Sequence, residues 1–134
     1  FGLKIKKDLK MKKKIQALEW LKANKRNTIV DNAFNGSQKE AIKFINLLLK
    51  AGATQVEVAN AMNDFVYVND DSDKKFTFEY ADTLIIHLPK TLSKRIDIMA
   101  LIFELYRPDS ISSSLEKEKE VDWKKDDKIV LWWD

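Results

Sequence analysis

The sequence predicts an α+β domain, in which an antiparallel sheet carries two helices on one face and a basic helix precedes the first strand. Three observations carry this. Period-two alternation recurs in "TQVEV", "TLIIHLP" and "KIVLWW", and period-3.6 apolar patterning recurs in "QKEAIKFINLLLKA" and "SKRIDIMALIFELY". The two kinds of segment succeed one another in the order β-α-β-β-α-β. A length of 134 residues suits one such domain with a modest core.

Taken in order, residues 8–24 read as a helix with one narrow apolar stripe, Met11, Ile15, Leu18 and Leu21. Residues 27–34 read as a strand centred on Ile29 and Val30. In the next helix Ser37 and Glu40 form an S-x-x-E capping box, and Gly52 suits the stop. Its buried face is expected to be Ala41, Phe44, Ile45 and Leu48. A strand over 54–60 follows, with Val56 and Val58 inward, and then a hairpin pairing "FVYV" with "FTFEY". Residues 82–89 form a further strand, with Leu84, Ile86 and Leu88 on one face. The second long helix starts near Thr91 or Ser93 and is stopped by Pro108. It is apolar over so much of its circumference that it is expected to be covered on two sides. Residues 109–127 read as a mobile loop, and 128–134 as the last strand.

This order matches a ferredoxin-like βαββαβ sandwich over 27–134, with residues 1–26 as a basic helical arm. The arm holds ten Lys/Arg against two acids, a net +8; the whole chain is +3, so the remaining residues carry −5. The basic character belongs to the arm and the body is acidic. The stretches "NGSQKEAIKF", "GATQVEV", "YADTLIIHLP" and "LWWD" resemble small bacterial proteins of no assigned function, over about Ala33 to Asp134. That resemblance implies no catalytic residues, and a ferredoxin-like fold implies no activity.

Several chemistries are disfavoured by residue type. With no cysteine and one histidine there is no thiolate chemistry and no set of zinc ligands. The "NDDSD" turn fails as a calcium loop, since Lys74 stands where glycine is needed and Tyr80 where glutamate is needed. Asp82, Glu79, Asp64 and Glu57 read as scattered surface acids rather than a cation site. No glycine-rich phosphate loop exists, so no cofactor is expected. RNA binding is disfavoured by the acidic body and by central strands that offer only Phe34 for stacking.

His87 is placed by alternation on the face opposite Leu84, Ile86 and Leu88, near Glu57 of the neighbouring strand, where the two could form an acid–base pair. Ile129, Leu131 and Trp133 are assigned to the core, which leaves Val130 and Trp132 for the open face. Ile85, His87, Val130 and Trp132 would then make an interaction patch.

The expected function is a non-enzymatic protein-interaction or ligand-binding module, its partner another protein or a second copy meeting the sheet face or the second helix. One alternative is a small hydrolase or isomerase using His87 with Glu57. Another is binding to a membrane surface or nucleic acid through the arm, with Lys10, Lys12, Lys13 and Lys14 as contacts. The absence of cysteine favours the cytoplasm. A start at Phe1 followed by lysines also suits a chain anchored through a removed upstream segment.

Overall fold

The computed structural model describes residues 15–29, 38–67 and 74–133. The arm residues Lys10, Lys12, Lys13 and Lys14, the capping residue Ser37 and the acidic turn 69–73 lie outside the described residues. The elements are β1 (Ile15–Gln16), α1 (Ala17–Ala23), β2 (Thr28–Ile29), α2 (Gln38–Ala51), β3 (Gln55–Ala59), β4 (Met62–Tyr67), β5 (Lys75–Ala81), β6 (Thr83–His87), α3 (Leu92–Glu104), β7 (Ser110–Ser112) and β8 (Lys128–Trp132). The protein is α+β. Among the described residues the strands form one five-stranded antiparallel sheet, β1-β3-β6-β8-β7, and one three-stranded sheet, β2-β5-β4.

The two sheets share one long ribbon. Ala59 faces Thr83 in the first ladder and Met62 faces Tyr80 in the second. Two residues, Asn60 and Ala61, therefore stand against two, Ala81 and Asp82, and the register passes through the junction without a bulge. Asn60 takes a left-handed conformation there, φ 58°, which asparagine tolerates better than most residues. The ribbon bends at this point. Its lower half, β3 with β6, is flanked by β1 and β8; its upper half, β4 with β5, meets only β2 among the described strands.

The order differs from the ferredoxin-like expectation. There the strand of residues 27–34 would lie in the main sheet, but β6 pairs directly with β8, and Thr28–Ile29 run parallel to β5 in the smaller sheet. Asn27 supplies the physical reason. Its buried side chain donates Nδ2–H to the Trp20 carbonyl at 2.9 Å and accepts the Glu79 backbone N–H on Oδ1 at 2.8 Å. This ties the chain to β5 just before β2 begins. Gln38 adds a second tie, its Nε2 lying 2.5, 2.7 and 3.1 Å from the carbonyls of Leu21, Asn24 and Asn27.

α1 is shorter than the sequence suggests, and Ile15 sits in β1 opposite Val58. Ala17, Trp20 and Leu21 are buried in the main core, so residues 15–26, grouped with the arm on charge, pack into the body. α2 buries Ala41, Phe44, Ile45 and Leu48, the spacing expected of one apolar face. It ends in a Schellman motif: Ala53 N–H reaches the Leu48 carbonyl, Gly52 N–H reaches that of Leu49, and Gly52 has φ +124°. α3 buries Ile98 and Ile102, but Leu92, Ile96 and Phe103 on its outer side stand about half-exposed. The covering expected on its second side is supplied only in part by the described residues, through Trp123, whose ring lies 6.3 Å from that of Phe103.

The C-terminal strand is pinned where sequence alternation placed it. Trp133 is fully buried, with Phe44 edge-on at 6.2 Å and its Nε1–H donated to the Tyr106 carbonyl at 3.1 Å. Tyr106 packs on Phe44 at 4.7 Å and donates its hydroxyl to Glu40 Oε2 at 2.7 Å. Burial first, and then the hydrogen bond and negative charge of Glu40, push the phenol up to about 12.

The segment 109–127 is ordered by specific contacts. Its start forms β7, paired with β8. The buried Ser112 hydroxyl accepts the N–H groups of Lys119 (2.9 Å) and Ser114 (3.2 Å), with the Ser114 and Lys117 carbonyls each 3.0 Å away for its own proton. These bonds fold 113–119 into a closed loop. Farther on, buried Arg95 of α3 donates to the carbonyls of Pro89 (2.6 Å) and Asp126 (2.8 Å), while Leu88 N–H reaches the Asp127 carbonyl. One guanidinium thus joins the helix start, the end of β6 and the approach to β8.

Candidate functional site

Alternation divides β3, β6 and β8 between two faces. Val56, Val58, Leu84, Ile86, Ile129 and Leu131 meet the helices in the core. The other face is laid out by cross-strand register. One row is Gln55, His87 and Lys128; the next is Glu57, Ile85, Val130 and Ser112; the third is Ala59, Thr83, Trp132 and Ser110. The face is mixed in character and bears the residues singled out from sequence.

That face is not bare. Ile85 and Val130 are buried and form a small apolar cluster with Ala59. Both also line a cleft of about 390 Å³ whose far wall is Ser113, Ser114, Leu115 and Glu116. The loop closed by Ser112 therefore lies over the middle of the sheet. Of the four patch residues expected from sequence, Trp132 is the most open, with 38% of its surface exposed.

A larger cleft of about 510 Å³ opens at the bend of the ribbon, with Asn60, Asp82 and Thr83 on one side, Trp132 against them, and Ser114 and Leu115 opposite. Its origin is topological. β8 follows β6 as far as Thr83 opposite Trp132; Trp133 N–H then reaches the Asp82 carbonyl as the chain turns into the core, and β2 takes over beside β5. Where flanking strands diverge, the sheet leaves a crevice. Asp82 organises it. Oδ1 accepts the Thr83 hydroxyl at 2.7 Å and Oδ2 accepts the Trp132 indole N–H at 3.1 Å, so one carboxylate fixes the orientation of an open aromatic ring. With that N–H committed, Trp132 offers a ligand its ring faces and edge.

His87 and Glu57 do meet. His87 Nε2 and Glu57 Oε1 are hydrogen-bonded diagonally across β3 and β6, with side chains 27% and 14% exposed. Neither residue belongs to the lining of the two clefts on this face. Of the acids named from sequence, Glu57, Glu79 and Asp82 do not converge. Glu79 accepts the Trp20 indole N–H, Asp82 holds Thr83 and Trp132, and Glu57 binds His87. Among the described residues no group of three or more His, Cys, Asp or Glu side chains is placed to hold a metal ion, and no helix is long and apolar enough to cross a membrane.

Sequence reasoning missed Asp82 as the residue that orients Trp132, Ser112 as the centre of the covering loop, and Asn60 at the bend. Asp82 had one visible signal, a polar residue between two apolar strand segments. Ser112 had none, because its partners are backbone groups brought near by folding. Comparison with family models, with curated proteins and with solved structures finds no match to this chain, so its functional reading rests on this geometry.

Proposed function

We propose that the protein is a non-catalytic binding module whose ligand seats in the cleft at the bend of the ribbon, against Trp132. The observation that carries this is an open indole held in one orientation by Asp82 within a space of about 510 Å³. Leaving a tryptophan partly in water is costly, and a cleft of this size falls in the range that small ligands or a few peptide side chains fill. The four tryptophans supply the test. A ¹⁵N–¹H spectrum resolves four indole N–H signals, and Trp132→Phe assigns one of them. Titration with a mixed library of small molecules and short peptides is expected to move the Trp132 signal and leave that of buried Trp133 in place. A library whose binders shift other sites and spare Trp132 argues against the reading.

A second reading is favoured by the His87–Glu57 hydrogen bond, which suits general acid–base catalysis by a small hydrolase or isomerase. It predicts turnover in a panel of simple esters and enolisable carbonyl compounds that His87→Gln and Glu57→Gln each abolish and Trp132→Phe preserves. Activity insensitive to both substitutions removes it.

A further inference from the structure

The edges of the two sheets are finished very differently. The main sheet ends on β1, two residues long, and on β7, three residues long with 113–119 closed behind it. The smaller sheet ends on β2, two residues, and on β4, six residues. Short strands, lysines, prolines and covering loops are the usual ways of keeping a sheet edge from pairing with another chain. β4, "MNDFVY", has no lysine or proline and only one acid, Asp64; no described strand lies on its outer side.

The half of the ribbon that carries β4 is tied to the body through β5, where Asn24 Nδ2–H reaches the Thr77 carbonyl at 2.9 Å and Trp20 Nε1–H reaches Glu79 Oε2 at 3.0 Å. β2 accompanies β5 only at Tyr80 and Ala81, so Lys75–Glu79 and their β4 partners form a two-stranded ribbon among the described residues. Such a ribbon is marginal on its own. Phe65 and Phe76 sit on its opposite faces, 44% and 46% exposed, with Lys75 Nζ 4.7 Å from the first ring and Arg26 Cζ 4.2 Å from the second.

We infer that β4 is a dimerisation edge, pairing antiparallel with β4 of a second copy about a two-fold axis at Phe65. The outer edge of a strand offers backbone N–H and C=O groups in extended spacing, so its partner is another extended strand. A second copy fits without further assumption, since antiparallel self-pairing presents each outward donor to an outward acceptor under two-fold symmetry. The register follows from parity and from the place of Phe65. With the axis perpendicular to the sheet, residues on one face stay on that face only if the axis passes through a residue position. Positions 64 and 65 give the longest overlap of a strand spanning Met62–Tyr67. An axis at 64 sets Phe65 against Asn63, whereas an axis at 65 sets the exposed Phe65 against its own copy, the aromatic pair that cross-strand packing favours. The product is a continuous β5-β4-β4-β5 sheet that covers both Phe65 rings.

The chain contains no cysteine, which makes the test direct. Directly opposed antiparallel residues lie about 4.5–5.5 Å apart between Cα atoms, within the range a disulfide spans. Under mild oxidation Phe65→Cys is expected to give mostly covalent dimer, whereas Asn63→Cys, opposite residue 67 in this register, and Thr77→Cys, one strand inward, stay mostly monomeric. In sedimentation equilibrium the unmodified chain is expected to dimerise and Phe65→Lys to be monomeric with an unchanged circular dichroism spectrum. If Phe65→Lys fails to fold, the cross-linking pattern decides alone. The proposal is overturned by an unmodified chain that stays monomeric at every concentration, by equal cross-linking at 63, 65 and 77, or by a dimer that Phe103→Glu on α3 dissociates and Phe65→Lys does not.

Discussion

One β-ribbon runs through this protein in a single register, yet its two halves live in different surroundings. Below the bend, β3 and β6 are flanked by β1 and β8 and packed against the helices, and Leu84, Ile86, Val56 and Val58 are all buried. Above it, Met62, Phe65 and Phe76 remain substantially exposed. Hydrogen-bonded pairing continues through both halves, so the ladder is not what sets their stability apart. Burial is: apolar area removed from water dominates folding, whereas an exchanged hydrogen bond contributes modestly.

Substitutions should therefore fall very unequally on the two halves. The largest effect is expected for Trp133→Ala, which empties a fully buried site beside Phe44; a loss of about 3–5 kcal/mol should appear in denaturant unfolding. A loss below about 1 kcal/mol would mean that the C-terminus does not close the core. Next comes Arg95→Met, which leaves the Pro89 and Asp126 carbonyls without their donor and should cost about 1–3 kcal/mol. Asp127→Asn, by contrast, touches only an exposed partner of the same guanidinium and should cost well under about 1 kcal/mol. Equal effects from the two would show that the ion pair, rather than the carbonyl contacts, holds this corner.

A pH titration sharpens the picture of the body. The Tyr106 phenol ionises near 10.0 when unfolded and near 12 when folded. Its contribution is therefore full below pH 10.0 and is lost as pH rises through about 12. Stability measured across that window should fall for the unmodified chain and fall less for Tyr106→Phe. The smallest effect belongs to the upper half. Phe76→Thr removes an exposed ring and its contact with Arg26, and should cost less than about 1 kcal/mol. A larger cost would show that the hairpin is integral to the body.

What could be read from sequence follows the same division. Alternation assigns Leu84, Ile86, Ile129, Leu131 and Trp133 to the core, and all are buried there, because the pattern of a strand buried on one face is set by burial itself. The meeting of His87 with Glu57 was also legible, as a consequence of the strand faces. The path of residues 27–29 was not. It depends on Asn27, whose amide binds backbone groups of Trp20 and Glu79, and such contacts leave no periodic trace. The segment 109–127 looked unstructured for a related reason: Ser112 and Arg95 organise it through carbonyls, which every residue possesses. Continuity of the ribbon was hidden because Asn60 and Asp82 are turn-forming types, here used to bend paired strands without separating them.

That bend has a mechanical consequence. β5 runs roughly 20 Å from Lys75 to Ala81 at the rise of an extended strand, tied on the way by Asn24 at the Thr77 carbonyl and by Trp20 at Glu79, and it joins β6 at Asp82. The carboxylate of the same residue holds the indole N–H of Trp132. Because one residue is both the joint of the two sheets and the acceptor of that N–H, a rearrangement of the joint is expected to register in the indole signal of Trp132.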